Sequence, residues 1–515
     1  MQTEKEYLIG REINSLRCES VGEYSLPDYN GDVKKILMVK TKVFPTGKFV
    51  GDELLEFSGS VGYEVVYLDA ENTVTHAEFS TDYDAAVKIN AESYVDSDVR
   101  TSVSGCNIRL VGPRKMSVKC MLDNDVQISE KKSYGIVGDA FMEYEPELLL
   151  RCANVYSSTF ISGESREISE EVVSIDGAIA DEVEILLSDI LTELDSVAVK
   201  GDTLELGGRV KASLLYRNGD QSPRLVDKEI PYSAELTIGE EVASGAIDAR
   251  LDATAFSCAV TPTEDGVSLS VSASVSPSVT SKRNCALELV NDAYLKERGV
   301  VNEYCDLSYT EHICAERVEE RFEAKRPISE LGIDAPGEVI YSEAVARVER
   351  CEERDDGVTV SGEVRFFGIV CAIGEEMSIC SPLKMSLPFA YNVKLNCQIH
   401  DNMRINCSVN ANNVRINIDE NNVCMSCDLD ISLNVSSEKK QRCLGASYLT
   451  DEEYSREASV VTVYYPDASE SLFGIAKRFH TSVGALARDN KLSESVFASS
   501  QLPLGTSDVK KLIIK

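Results

Sequence analysis

FSGSVGYEVVY (Phe57–Tyr67), LGGRVKASLLY (Leu206–Tyr216) and VSGEVRFFGIV (Val360–Val370) are one pattern written three times. Each sets a glycine early (Gly59, Gly208, Gly362) and then alternates into a run of Val, Leu, Phe or Tyr. The marker glycines stand 149 and 154 residues apart. A second block follows each first one: STDYDAAVKI (Ser80–Ile89), EIPYSAELTI (Glu229–Ile238) and SLPFAYNVKL (Ser386–Leu395). Its aromatic, Tyr83, Tyr232 or Phe389, trails the marker glycine by 24, 24 and 27 residues. Two blocks in one order at nearly one spacing define an internal repeat.

Each repeat closes on a hairpin pattern, in Asn107–Ile128, Phe256–Pro277 and Asn413–Val435. Period-two stretches there flank Gly-Pro, Glu-Asp-Gly or Asp-Glu-Asn-Asn turns. Alternation of this kind buries one face of an antiparallel sheet and wets the other. The fold class expected is mainly β: three tandem antiparallel β-sandwich or open-barrel modules at 22–140, 170–292 and 328–436, followed by a small β-α-α-β module at 459–515. Charged stretches between the repeats read differently. Glu311–Lys325 places Ile313, Val318 and Phe322 among charges at helical spacing, which predicts a connecting helix. Ser436–Ala458 is polar and reads as a linker to the last module.

Composition sets outer limits. A chain of 515 residues is too long for one ordinary core. Trp is absent and aromatics are 7 %, so the cores must rest on Val, Ile, Leu and Tyr, which favours strands. A net charge of −34 argues against nucleic acid and anionic lipid, since phosphate neutralisation needs clustered Lys and Arg. The bland alternative, charge that merely keeps a repeat protein soluble, stands beside a basic protein partner. The first twenty residues show no signal-peptide pattern, and no stretch approaches the length of a spanning helix, so a cytoplasmic protein without membrane insertion is expected. The 16 Cys are scattered, and most are expected to be reduced and buried as small hydrophobes. Cys424 and Cys427 form a CxxC, but three residues apart on a strand they face opposite sides, so no metal is expected there.

After Ser459 the composition turns mildly basic, with seven Lys and Arg against five Asp and Glu. VVTVYY (Val460–Tyr465) reads as a strand, and Ser469 can cap a helix starting near Glu470. That helix presents Leu472, Ile475, Ala476 and Phe479 on one face. Thr481 or Ser482 starts a second helix, with Val483, Leu486 and Ala487 inward and Asn490 at its end. Leu512–Ile514 closes the module as a strand. Ser471-Leu472, Ile475–Phe479, Thr481–Val483, Leu486, Asn490, Leu492 and Lys511–Ile514 resemble the LysM domain. That resemblance implies a groove for N-acetylglucosamine chains between the first loop and the loop before the last strand. Ser469, Glu470, Ser471, Leu472, Phe473, Asn490, Leu492, Pro503 and Gly505 are the candidate groove or partner-binding residues. The sequence departs from the family where Ser469-Glu470-Ser471-Leu472 replaces the usual Gly-Asp-Thr-Leu; a Ser for the Gly and a longer acid crowd the groove.

The repeats carry a resemblance of their own. Leu26-Pro27-Asp28-Tyr29, Ile36-Leu37, the Gly-x-Val strands and Gly112-Pro113-Arg114-Lys115 are similar to the SPOCS module of spore-forming Firmicutes. Three such modules ending in LysM resemble the SipL-type coat-morphogenesis scaffolds of clostridia. The resemblance implies a mother-cell protein at the forespore surface whose LysM module binds the ATPase of the coat basement layer. The alternative is a protein that binds peptidoglycan or chitin-type glycan.

Nothing in the chain has a catalytic pattern: phosphate loops, GxGxxG after a strand, HExxH and GxSxG are all missing. The four His are His76, His312, His400 and His480. Cys314 lies near His312, but no third orienting group accompanies them, and exposed helix residues are the plainer reading. Paired acids such as Glu319-Glu320 and Asp355-Asp356 are indistinguishable from solvated surface in a chain with 86 Asp and Glu. No catalytic residue and no cofactor is expected.

Overall fold

Burial along β3 (Leu54–Asp69) explains the first repeated block. Leu55, Phe57 and Val61 alternate with exposed or half-buried neighbours, whereas from Tyr63 to Leu68 every side chain is buried. The strand is half-buried at its start and covered on both faces at its end, which turns alternation into a continuous buried run, apolar except for Glu64. A computed structural model describes the chain apart from residues 1–2, 29, 137–142, 220, 240–242, 332, 334–336, 355–356, 374–377, 398–402, 420, 455–460, 494–495, 497–503 and 505–508. Tyr29, part of one motif above, lies outside the described residues.

The first unit pairs β2 (Val33–Val50), β3 and β4 (Val74–Lys88) in one antiparallel sheet. Its second sheet has the order β1 (Thr3–Ser25), β6 (Lys115–Ile136), β5 (Tyr94–Gly112). In the second unit β9 (Val183–Lys200), β10 (Thr203–Asn218) and β11 (Arg224–Thr237) form the first sheet. Around β13 (Gly266–Tyr294) gather β7 (Glu147–Ser162), β8 (Arg166–Asp176) and β12 (Ala246–Pro262). The third unit sets β15 (Glu338–Arg354), β16 (Gly357–Ile373) and β17 (Ser378–Lys394) against β14 (Arg298–Pro327), β19 (Asn422–Glu453) and β18 (Met403–Asp419). Each unit is thus a sandwich of two sheets with its own apolar core.

Register supplies the reason for both repeated blocks. Gly59 faces Tyr83, Gly208 faces Tyr232 and Gly362 faces Phe389, each directly across a ladder. A Cβ on any of these glycines would run into the carbonyl of the neighbouring edge strand, at Phe44, Glu193 and Arg347 respectively. Next to each glycine that edge strand carries a β-bulge, between Pro45/Gly47, opposite Gly207/Gly208 and between Val348/Arg350. The glycine accommodates the close approach that the bulge creates.

The three units meet on a shared axis. Val66, Leu215 and Ile369, each seven residues past its marker glycine, are fully buried in one cluster. Their ladder partners Met38, Leu187 and Tyr341 lie in the same cluster. Two residues further along β2, β9 and β15, Lys40 bonds Asp189 at 2.8 Å and Glu343 at 2.9 Å. Burial works against the Lys40 charge, yet Tyr341, Glu343 and Asp189 hold its pKa well above the ordinary value.

Two sequence expectations are corrected. Glu311–Lys325 is strand, not helix; it lies inside β14 and pairs residue by residue with β19. Val318, Phe322 and Ala324 pack on the core, while Arg317 and Arg321 on the other face bond Asp430 and Asp428. Period-two burial was present, but half-buried Glu316 and Glu320 at inward positions disguised it. His312 and Cys314 are therefore strand residues as well. Ser436–Glu453 is likewise strand, the far half of β19, where a linker was expected. Furthermore, the strand that completes each second sheet, β1, β7 or β14, begins before the residues where the repeats were expected to start.

Among the described residues no helix is long and apolar enough to cross a membrane. Cys424 and Cys427 take half-buried and buried places on alternating sides of β19, and no group of three metal-ligating side chains gathers among the described residues.

Candidate functional site at the C-terminus

The last module is a two-stranded sheet, β20 (Thr462–Tyr464) on β21 (Leu512–Ile514), with α1 (Leu472–Arg478) and α2 (Val483–Asp489) between. Ser471, not Ser469, caps α1: its hydroxyl accepts the Gly474 N–H at 3.1 Å. Ser469 is exposed in the preceding turn. The helix begins two residues later than its spacing predicts, because Glu470 is committed elsewhere. Leu472, Phe473, Ile475 and Ala476 are buried, and Lys477 and Arg478 end the helix where its dipole favours cations. Ser482 caps α2 by accepting from Ala485 N–H at 3.0 Å. His480 and Lys491 follow the two helices with positive φ, a common way for a helix to stop.

Glu470 organises the first loop. Its carboxylate accepts from the Tyr464 hydroxyl at 2.7 Å and the Asp467 N–H at 3.0 Å, and pairs with Arg478 at 2.7 Å. The Asp467 amide, the Tyr464 hydroxyl and Arg478 hold its pKa below the ordinary carboxylate value. Its backbone carbonyl accepts from Leu504 N–H at 2.8 Å, tying this loop to the segment before β21. Asn490 does the same at the other side: its amide donates to Leu486 O at 2.9 Å and Ile513 O at 2.8 Å, and accepts from Ile513 N–H at 2.6 Å. Leu492 packs half-buried on the core. Of the candidate residues, then, Ser469 is free to meet a ligand, Glu470, Ser471 and Asn490 are occupied in holding loops, and Leu472 and Phe473 are core. Pro503 and Gly505 lie outside the described residues.

Two features were not visible in the sequence. On the outer face of the small sheet Val463 (53 % exposed) stands opposite Ile513 (36 %), flanked by Val461 and Tyr465, both largely exposed. This stripe was concealed within a run that reads simply as strand. The second feature is the seat. Tyr294, at the end of β13, is buried against the module; its ring meets Phe473 edge-on at 5.2 Å and its hydroxyl donates to Thr481 O at 2.7 Å. Asp292 receives Lys477 at 2.6 Å, and Tyr454 stacks on His480 at 3.7 Å. No local signal in β13 could have announced a contact with a helix nearly two hundred residues away.

No curated protein and no solved structure matches this chain. Residues 468–496, from the Glu470 loop through α2, match the LysM domain, a fold associated with binding peptidoglycan and related glycans. The chain therefore carries a LysM domain, seated on β13 of the second of its three β units.

Proposed function

We propose that this chain is a non-enzymatic scaffold of spore-envelope assembly, working in the mother-cell cytoplasm at the forespore surface, whose LysM domain docks a protein of the coat basement layer. The observation that carries the reading is the state of the Glu470 loop. Three donors within the domain occupy its carboxylate, so it offers little to sugar hydroxyls, while the neighbouring Val461–Tyr465 and Ile513 stripe offers apolar contact. The seat on Tyr294 and Asp292 supports the same reading, because it presents that stripe in a fixed orientation on a large acidic body. The spore context rests on the likeness of the repeats to SPOCS modules, and the ATPase of the basement layer is the partner that likeness implies. The second reading, binding to peptidoglycan or chitin-type glycan, is favoured by the LysM match itself.

The full chain and its Val463→Glu variant distinguish the two. Recruitment of a fluorescent fusion to the forespore, lost in Val463→Glu and in a chain lacking Val460–Lys515, agrees with protein docking. Normal recruitment of the truncated chain would sink it. Sedimentation on purified sacculi, competed by N-acetylglucosamine oligomers and unchanged by Val463→Glu, would instead establish the glycan reading.

A further inference from the structure

Two thiols face each other where the second and third units join. Cys305 of β14 and Cys443 of β19 are directly opposed on one antiparallel ladder, with their sulfurs 3.5 Å apart in hydrogen-bonding contact. Opposed antiparallel residues hold their Cα atoms about 4.5–5.5 Å apart, inside the range that a disulfide spans. Bonded sulfurs sit about 2 Å apart, so a small side-chain rotation is all that closure requires. The chain already contains such a bond: Cys371 and Cys380, opposed in the same way on β16 and β17, form a disulfide.

The two thiols differ in access. Among the described residues only Cys152 and Cys305 are exposed free cysteines, whereas Cys443 is buried. β19 bulges beside the pair, at Gly445, where a Cβ would stand 3.4 Å from the Cys305 sulfur; glycine leaves that approach open. Cys443 packs with Ala153 and Val155 of β7 and with Leu287 and Leu289 of β13, so it lies inside the contact between the units. The pair also adjoins the LysM seat. Tyr304, next to Cys305, donates its hydroxyl to Asp292 at 3.0 Å, and Asp292 is the carboxylate that receives Lys477. Cys106 and Cys120, opposed on β5 and β6 in the first unit, lack this access: Cys120 is fully buried in the core and neither thiol is exposed.

We propose that Cys305 and Cys443 are a redox modification site whose oxidant is a small-molecule disulfide and whose product is a cross-strand bond that pins β14 to β19 beside the LysM seat. The exposed Cys305, as thiolate, attacks one sulfur of the oxidant, breaks its S–S bond and releases one thiol. Cys443, held against the mixed disulfide, then loses its proton, attacks the Cys305 sulfur and releases the second thiol. The pair loses two protons and two electrons, and the oxidant takes them up as two thiols. Burial and the hydrogen bond with Cys305 push the Cys443 thiol up to about 12, which agrees with its acting second. This site is independent of what the LysM domain binds.

The test incubates the full chain with oxidised glutathione, blocks remaining thiols with N-ethylmaleimide at timed intervals, and maps peptides by mass spectrometry without reduction. A Cys305–Cys443 linkage is expected, preceded by a glutathione adduct on Cys305. Cys152 is the internal control: it is exposed but faces Glu288 across its ladder, so it should keep glutathione as a mixed disulfide. Cys443→Ala keeps a small apolar side chain in the cluster and removes the second thiol, so glutathione should then stay on Cys305. The new bond joins residues 138 positions apart, so the oxidised chain should unfold at higher urea, and that shift should be missing in Cys443→Ala. No Cys305–Cys443 linkage in the oxidised full chain, or linkage of Cys305 to another cysteine in its place, would overturn the proposal.

Discussion

Tyr294→Ala is the sharpest test of whether body and LysM domain act as one piece. Tyr294 is 4 % exposed, with its ring against Phe473 and its hydroxyl on the Thr481 carbonyl. Truncating a buried aromatic costs about 3–5 kcal/mol. Removing the hydroxyl alone, in Tyr294→Phe, costs about 1–2 kcal/mol, because the Thr481 carbonyl loses its partner. A module of this size has little core of its own, so much of the loss should fall on local opening of the domain rather than on the whole chain. The assay is amide hydrogen exchange at Ile475, Phe479 and Leu486, whose N–H groups close the two helices. At roughly 1.4 kcal/mol per factor of ten, Tyr294→Ala should cost these amides about two to three powers of ten in protection, and Tyr294→Phe about one. Amides of β3, β10 and β16 should not change. Helix exchange unaffected in Tyr294→Ala would refute the seat and leave the domain a tethered neighbour.

The remaining predictions concern the body. Lys40→Ala should cost about 3–5 kcal/mol in urea unfolding, since it strands Asp189 and Glu343 near one another, whereas replacing all three by apolar residues of similar volume should cost far less. Gly362→Ala should lower the thermal midpoint, because its Cβ meets the Arg347 carbonyl; overpacking of this kind costs about 1–3 kcal/mol. The first two units share a titrating contact in which His76 bonds Glu184 at 2.8 Å and Arg217 joins the same carboxylate. Burial opposes the His76 charge, but Glu184 raises its pKa; burial opposes the Glu184 charge too, but His76, Thr75 and Arg217 bring it to about 2. The imidazolium therefore contributes stability in full below its unfolded value and loses it as pH rises through the elevated folded value. The carboxylate contributes above its unfolded value and loses it as pH falls towards about 2. Urea midpoints measured against pH should decline on both sides, and His76→Gln should remove the decline on the alkaline side only.

Much of the fold was legible because the chain alternates. The repeated blocks, the closing hairpins and the two helices of the last module all carry local periodicity that burial enforces. What was hidden depends on partners far away in sequence. β1, β7 and β14 each pair with a strand about a hundred residues or more later, and closing so long a loop leaves no local mark. Glu311–Lys325 misled because charges occupy half-buried edge positions, where a strand tolerates them and a periodicity count does not. The Cys371–Cys380 bond could have been suspected, since two cysteines stand only nine positions apart within alternating stretches. The candidate site was legible as a fold, but the commitment of Glu470 to Tyr464 and Arg478 required three dimensions.

The axis also explains why three units share one chain. Equivalent positions on β2, β9 and β15 carry Lys40, Asp189 and Glu343, and these close over the apolar contact of Val66, Leu215 and Ile369. Three identical subunits would bring three lysines, or three carboxylates, to the same place, and like charges this close are repelled without compensation. A covalent tandem removes that restriction, since each copy can carry a different residue at one equivalent position. Glu64 illustrates the same freedom: it is buried beside Lys42 and accepts the Ser188 N–H of the second unit at 3.0 Å. Its counterparts, also five residues past their marker glycines, are Ser213 and Phe367, which could not make that contact. The repeats thus kept the strands and glycines that each sandwich needs and diverged where the copies touch, so each interface suits only one neighbour. A body assembled this way has a single order of units, and the LysM domain rests on one place in it, the Tyr294 and Asp292 seat.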